Sequence, residues 1–244
     1  MANKFYARGQ HRAAKVQDLF ALLAPRYDLV NDLQSFGLHR WWKQSLVRLA
    51  RPTRGEQALD LCCGTGDIAF ALARSGAEVT GLDFSAPMLE VARHRTEAQL
   101  PVRWVRGDAL RLPFSENQFD LITIGYGLRN LSNFDQAVAE MLRVLKPGGR
   151  LLILDFGKPD NWLWRKMYFA YLKWVVPLFG KIFCGQAATY GYIFESLQHY
   201  PGPRGVAALM RELKCERVQI VNFLGGIMSI NYGQKALNSA PQVT

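Results

Sequence analysis

The sequence predicts an α/β fold: a doubly wound, mostly parallel sheet of seven strands ending in an antiparallel hairpin. Three observations predict it. Short apolar runs alternate with helical patterns across residues 58–155, the order that builds a parallel sheet with crossover helices. The first run closes on Gly64-Thr65-Gly66, a turn that leads directly into a helical pattern. Two late apolar runs, 218–223 and 227–232, flank Gly225-Gly226, a hairpin signal.

The elements follow in order. Val16, Leu19, Phe20 and Leu23 stand at helical spacing, predicting a helix over 15–23 that Pro25 breaks, and a second helix over 40–49. Together these make an N-terminal helical cap, 1–50. A strand over 58–62, a helix to Arg74 and a strand over 78–82 form the first β-α-β unit. A helix opening at Ser85, strands over 102–105 and 121–124, a helix over 134–145 and a strand over 151–155 continue the alternation. Lys146-Pro147-Gly148-Gly149 supplies a stop and turn before that fifth strand. The pattern then breaks into an insertion or lid, 157–205, rich in Trp, Tyr and Phe, before a helix over 206–213 and the hairpin. The tail beyond Leu237 reads as frayed. With no internal repeat, 244 residues fit a single domain, 1–244, carrying one insertion.

An apolar content of 49% excludes disorder and a disulfide-stapled miniprotein. A net charge of +10 and a pI near 9.6 point to an acidic partner, nucleic acid or anionic lipid, or to a solvated basic surface. Cys62, Cys63, Cys184 and Cys215 have no C-x-x-C spacing, and His11, His39, His94 and His199 are scattered, so neither a metal site nor a disulfide framework is expected. The first fifteen residues are polar and basic without an apolar core, which reads as a cytoplasmic protein.

A glycine-rich turn between a strand and a helix lets backbone approach a ligand and aims helix N–H groups at it. Gly64 and Gly66 supply that turn, and Ala69 stands where the third glycine of a dinucleotide loop would be, which weakens a pyrophosphate site. Asp83, nineteen residues beyond Gly64 at the end of the second strand, is placed to accept both hydroxyls of a ribose. After the third strand, Asp108 is a candidate partner for an adenine amine, with Met88 and Ala109 sandwiching the ring; as a structural residue it would simply cap a turn.

The run Leu59-Asp60-Leu61-Cys62-Cys63-Gly64-Thr65-Gly66-Asp67, with Gly81-Leu82-Asp83-Phe84-Ser85 and Leu145-Lys146-Pro147-Gly148-Gly149, resembles the class I S-adenosylmethionine-dependent methyltransferases, which have a Rossmann-like fold. Tyr27-Asp28-Leu29-Val30-Asn31-Asp32, Gly37-Leu38-His39-Arg40-Trp41-Trp42-Lys43 and Gly127-Leu128-Arg129-Asn130 are similar to the ubiquinone/menaquinone biosynthesis C-methyltransferases, over about residues 18–236. The resemblance implies S-adenosylmethionine as cofactor, held by Thr65, Asp83, Asp108 and Ala109. It also implies a contribution from position 125, where some relatives have Ser and Gly125 offers backbone only.

The implied reaction is C-methylation of a prenylated demethyl-naphthoquinol, demethylmenaquinol to menaquinol. The equivalent benzoquinol reaction in ubiquinone biosynthesis is the alternative. A non-catalytic, S-adenosylmethionine-binding scaffold of a quinone-biosynthesis assembly is a rival of another class, disfavoured by the intact Gly127–Asn130 run. Only the reduced ring is nucleophilic at carbon, so the protein must align that carbon and favour the phenolate. Arg129 and Asn130 follow the fourth strand, where doubly wound sheets gather ligands, and are the first catalytic candidates. Arginine is a poor base, so Arg129 is expected to stabilise the phenolate, with water carrying the proton. Tyr27 is a third candidate, able to orient the quinol oxygen or to lie over the sulfonium; Asp28, Asn31 and His39 are weaker ones, and Tyr190, Tyr192 and His199 are candidate lid residues.

Residues 162–183 are strongly apolar, but Arg165, Lys166, Lys173 and Lys181 interrupt them and Pro177 would kink them, so a membrane span is not expected. The basic residues share one half of a helical wheel, the pattern of an interfacial helix on an anionic membrane surface, which suits a prenylated acceptor. Packing as a lid or against a second copy in a homodimer is the alternative. Nucleic acid is not expected as a partner: Gly125-Tyr126-Gly127-Leu128 stands where base methylases carry their Pro-Pro-aromatic motif.

Overall fold

A computed structural model describes residues 31–32, 35–184 and 188–237. The expected helix over 15–23, Tyr27, Asp28 and the tail beyond 237 lie outside the described residues. Helix α1 (Leu38–Ala50) precedes an alternating run of β1 (Gln57–Leu61), α2 (Asp67–Arg74), β2 (Glu78–Asp83), α3 (Ala86–Arg95), β3 (Val102–Arg106), β4 (Phe119–Gly125), α4 (Phe134–Val144) and β5 (Leu145–Phe156). The insertion then contributes α5 (Trp162–Ala170), α6 (Val176–Cys184) and α7 (Ala188–His199). Helix α8 (Gly202–Glu212) and the strands β6 (Cys215–Phe223) and β7 (Met228–Lys235) complete the described chain.

Seven strands of the described residues form one sheet in the order β3-β2-β1-β4-β5-β7-β6. Pairings from β3 through β5 are parallel, and β7 is antiparallel to both β5 and β6. The winding reverses between β1 and β4, which opens a crevice at their carboxyl ends. Side chains alternate across the strands. Leu59, Leu61, Ile122, Ile124, Leu151 and Ile153 face one core with α4 and the insertion helices; Ala58, Leu121, Leu152 and Leu154 face another with α1 and α2. Both faces are covered, so β1, β4 and β5 read as near-continuous apolar runs.

Helix starts follow local chemistry. Asn133 Oδ1 accepts the Gln136 N–H at 3.0 Å to cap α4, and Asn161 Oδ1 accepts the Leu163 and Trp164 N–H groups, both at 3.0 Å, to cap α5. Lys146-Pro147-Gly148-Gly149 does not leave the sheet as expected. Phe119 pairs with Leu145 and Leu121 with Arg150, so the tetrapeptide is a bulge inside a longer β5, made tolerable by Gly148 at φ 76°. Helix α4 accordingly stops at Val144 and Leu145 already belongs to the strand.

The insertion is helical. Pro177 lacks the N–H that would bond four residues back, and the chain adjusts with a π-helical turn at Tyr171–Val175 rather than a break. Its inner side buries Leu172, Val176, Tyr192, Ile193 and Leu197 in the core. Trp162, Trp174 and Ile182 are 66%, 70% and 63% exposed, and Arg165, Lys166, Lys173 and Lys181 are exposed beside them. No helix among the described residues is long and apolar enough to cross a membrane.

Candidate active site

The crevice holds a cleft whose walls come from the loops after β1, β2, β3 and β4. Past β1 the chain turns through Cys62 at φ 50°, and the Gly64 N–H donates to Asp83 Oδ2 at 2.8 Å. The Ser85 N–H donates to Asp83 Oδ1, also at 2.8 Å. Each carboxylate oxygen is thus held by a backbone donor, the Phe84 N–H acts on the same group, and lone-pair capacity remains for a hydroxyl. Burial pushes the Asp83 carboxyl up, and those backbone donors oppose it.

Met88 and Ala109, both buried, line the same cleft with Asp108, whose Oδ1 is held by the Leu110 N–H at 2.9 Å. The glycine-rich loop is braced from behind. Lys43 Nζ and Arg95 Nη2 each donate to Asp67 at 2.7 Å, and Arg95 Nη1 donates to the Thr65 carbonyl at 3.1 Å. Burial opposes ionisation of Asp67, but these two cations hold it down at about 2.

A second cavity of about 420 Å³ lies between the loop after β4, the start of α1 and the insertion helices. Its walls are mainly aromatic and apolar, including Trp42, Phe156, Tyr168, Tyr192 and Met228. Among the described residues, one charged group enters it. Arg129, 3% exposed, pairs with Asp155, 1% exposed, through Nη1 to Oδ1 at 3.0 Å, and donates from Nη2 to the Tyr192 hydroxyl at 3.2 Å. The Phe156 ring centroid lies 4.6 Å from the guanidinium carbon. Asp155 is further held by the Arg129 and Phe156 N–H groups at 3.0 and 2.8 Å; burial pushes its carboxyl up and Arg129 pulls it back.

Tyr126 lines both spaces and separates them. Its φ of 60° is unusual for a bulky residue, and its N–H is held by the Leu154 carbonyl at 2.7 Å.

The structure thus brings Gly64, Asp83, Met88, Asp108, Ala109, Gly125 and Asn130 together in the first cleft and puts Arg129 in the wall of the second. Asn130 Nδ2 donates to the Tyr126 carbonyl at 3.2 Å. Thr65 and Gly66 stand beside the cleft rather than in its wall. Thr65 is 3% exposed, and Gly66 opens α2 against Trp104 and Phe70. Tyr192 lines the second cavity, whereas the His199 ring is exposed and bonded to the Glu195 carbonyl. Sequence reasoning missed Asp155 and Tyr126. An acid closing the apolar run 151–154 was the one visible sign of the former, and the flanking Gly125 and Gly127 of the latter.

Residues 8–235 match the ubiE/COQ5 methyltransferase family. The chain is 45% identical over 224 residues to a 2-phytyl-1,4-naphtoquinone methyltransferase of Thermosynechococcus vestitus, covering 90% of this chain and 99% of that one. It is 37% identical over 229 residues to a demethylmenaquinone methyltransferase of Bacillus licheniformis, covering 93% and 99%. The crystal structure of a SAM dependent methyltransferase from Aquifex aeolicus superposes with a TM-score of 0.58 at 18% identity, over 79% of this chain and 88% of that one, a likeness of fold.

Proposed function

The chain belongs to the ubiE/COQ5 methyltransferase family, and on that basis we propose that it moves a methyl group from S-adenosylmethionine to a ring carbon of a prenylated naphthoquinol, demethylmenaquinol to menaquinol. Both relatives described above carry naphthoquinone-type substrates in their names, which favours that ring over a benzoquinol. The observation that carries the reading is the shared wall: a cleft with a poised carboxylate and a larger aromatic cavity meet at Tyr126, flanked by Arg129 and Asn130.

The first cleft fits the donor. Asp83 has lone pairs to spare for ribose hydroxyls, Asp108 can accept an adenine amine, and Met88 and Ala109 offer apolar faces to the base. Bound there, S-adenosylmethionine supplies an electrophilic methyl group on a positively charged sulfur that is its own leaving group. The protein's remaining work is done in the second cavity. Aromatic walls exclude water and hold the ring, and the Arg129 guanidinium, a donor at every working pH, stabilises the oxygen as its negative charge grows. Asp155 keeps that guanidinium aimed. Asn130 fixes the loop through the Tyr126 carbonyl, and Tyr27 is assigned to the quinol oxygen or the sulfonium on the resemblance alone.

We further assign the outer face of α5 and α6 to an anionic membrane surface. Trp162, Trp174 and Ile182 stand exposed among Arg165, Lys166, Lys173 and Lys181, the mixture that favours a lipid interface. Phe36, Trp164 and Met167 are exposed and also line the cavity, so its mouth opens beside that face, where a prenyl tail would remain in lipid.

The test is transfer of labelled methyl to demethylmenaquinone and to the matching benzoquinone, each with and without reductant. Product from the naphthoquinol only when reductant is present supports the reading. Donor binding without transfer to either ring overturns it. For the membrane assignment, co-sedimentation with anionic vesicles at low salt is expected, and Trp174→Glu should weaken it; equal recovery in the supernatant with and without vesicles refutes it.

A further inference from the structure

Methylating a quinol releases one proton for each methyl transferred, so the cavity needs a group that accepts. Arg129 only donates. The Tyr168 hydroxyl donates to the Ile227 carbonyl at 3.2 Å and the Tyr192 hydroxyl takes a hydrogen from Arg129. Burial pushes the phenols of Tyr168, Tyr171 and Tyr192 up, so each keeps its own proton. No carboxylate lines the cavity among the described residues, and its one imidazole is that of His39.

His39 sits in the first turn of α1 and is 5% exposed. Its Nδ1 lies 3.0 Å from Ser35 Oγ. Ser35 has a single hydroxyl hydrogen, and it is directed at the Asn31 carbonyl, 2.6 Å away. Toward the ring the serine oxygen can therefore only accept, which puts the imidazole hydrogen on Nδ1. The Asp32 carboxylate, 3.6 Å from Nδ1, favours the same tautomer. Nε2 is then the nitrogen with the lone pair. It makes no hydrogen bond among the described residues, and the residue that carries it lines the cavity.

Burial keeps the ring neutral, with two nearby cations in support. Burial first, then Lys43 and Arg40, hold the imidazole down at about 4 against the upward pull of Asp32 and Asp67. The ring also borders the groove of Lys43 and Asp67, whose ion pair braces the loop after β1 from behind.

We propose that His39 is a catalytic residue, its Nε2 accepting the hydroxyl hydrogen of the quinol next to the carbon that is methylated. The inference rests on the quinol reading of the cavity. The O–H bond breaks as the Nε2–H bond forms, and the electron pair left on oxygen spreads to the ortho carbon, which gains the methyl. The hydrogen displaced from that carbon returns to the oxygen as the ring regains aromaticity, and the proton on His39 leaves to solvent. Ser35 is a positioning residue that presents the correct tautomer, and Arg129 stabilises the oxygen that His39 strips.

Two readouts test it on the full chain. In His39→Gln, kcat should fall by roughly 10²-fold or more, the scale of general-base catalysis, while donor affinity by calorimetry stays within about a factor of two, well under the 1.4 kcal/mol of a tenfold change. An unchanged kcat, or a loss matched by lost donor binding, overturns the proposal. Imidazole nitrogen NMR with 2-methyl-naphthoquinol and S-adenosylhomocysteine, which has no methyl group to transfer, reads the contact directly. With only 4 histidines, the His39 signals are identified by their loss in His39→Gln. Nε2 should move upfield when the quinol is added while Nδ1 stays protonated; an unmoved Nε2 refutes the contact. Ser35→Ala keeps the ring and should lower kcat while mixing the tautomers, and a single unchanged tautomer there counts against the assignment. Absence of transfer by the wild-type enzyme would instead refute the quinol reading, and the NMR measurement would still judge His39.

Discussion

Asp155→Asn isolates what the buried ion pair contributes. The two side chains are 3% and 1% exposed and meet at 3.0 Å, so neutralising the acid strands a guanidinium with almost no access to water. Removing one partner of such a pair costs about 3–5 kcal/mol. Asparagine keeps an acceptor for the Arg129 N–H groups, so the lower end, about 3 kcal/mol, is expected, a large share of a typical 5–15 kcal/mol stability. Arg129→Met strands the acid instead, and a carboxyl has an escape that arginine lacks: it takes up a proton. Burial already pushes Asp155 up, and without the guanidinium only the two backbone N–H bonds, from residues 129 and 156, pull it back. Its folded pKa then lies above the unfolded value, so stability is fullest at low pH and is lost as pH rises through the folded pKa. Urea denaturation at pH 5 and pH 8 should show Arg129→Met more stable at the lower pH. The double variant should be less destabilised than the sum of the singles by at least about 2 kcal/mol. A loss below about 1 kcal/mol for Asp155→Asn with simple additivity would refute the claim that the pair is desolvated and coupled.

Asp60 tests burial of another acid. It is 1% exposed, accepts from Thr123 Oγ1 at 2.8 Å, and is pushed up to about 7 by burial. The protein should therefore lose on the order of 4 kcal/mol as pH rises from the unfolded value through 7, and Asp60→Asn should flatten that slope in urea titrations. Asp83→Ala removes the acceptor for the Gly64 and Ser85 N–H groups and for the donor's hydroxyls; at about 1.5–3 kcal/mol per charged hydrogen bond, calorimetry should show donor affinity down at least tenfold. Gly66→Ala asks for φ +94° and puts a methyl 2.6 Å from Trp104 and 2.9 Å from Phe70, so a stability loss of about 2 kcal/mol or more is expected by thermal unfolding.

What the sequence made legible was local. Asp83 could be read because one β-α-β unit contains both it and the loop it anchors, and the hairpin because two glycines divide two apolar runs. Asp155 and Arg129 lie 26 residues apart, and only the pairing of Gly125 with Leu154 across β4 and β5 brings them together. Lys146-Pro147-Gly148-Gly149 carries the composition of a turn, yet strand pairing on both sides retains it as a bulge. Propensity speaks for the isolated segment, and tertiary hydrogen bonds overrule it. The His39 tautomer was beyond reach for another reason: it depends on where one serine hydrogen goes, a fact of three-dimensional hydrogen-bond supply.

On the proposed reading, the loop after β4 is what brings donor and acceptor chemistry to one place. Two sites built on separate elements would drift relative to each other, and methyl transfer tolerates little drift. Here a single short segment supplies both walls: Gly125 and Asn130 face the first cleft, Arg129 faces the second cavity, and Tyr126 faces both. The segment is pressed against the donor loop so closely that a Cβ on Gly127 would stand 2.6 Å from the Cβ of Cys62, and its far side is tied to β5 through Asp155. Pinned from both sides, it can hold Tyr126 at φ 60°, a conformation that costs free energy and persists only where the surroundings over-determine it. The strain therefore sits in the partition between the two spaces, which on the proposed reading the methyl group must cross, and loosening either anchor should blur the alignment before it unfolds the sheet.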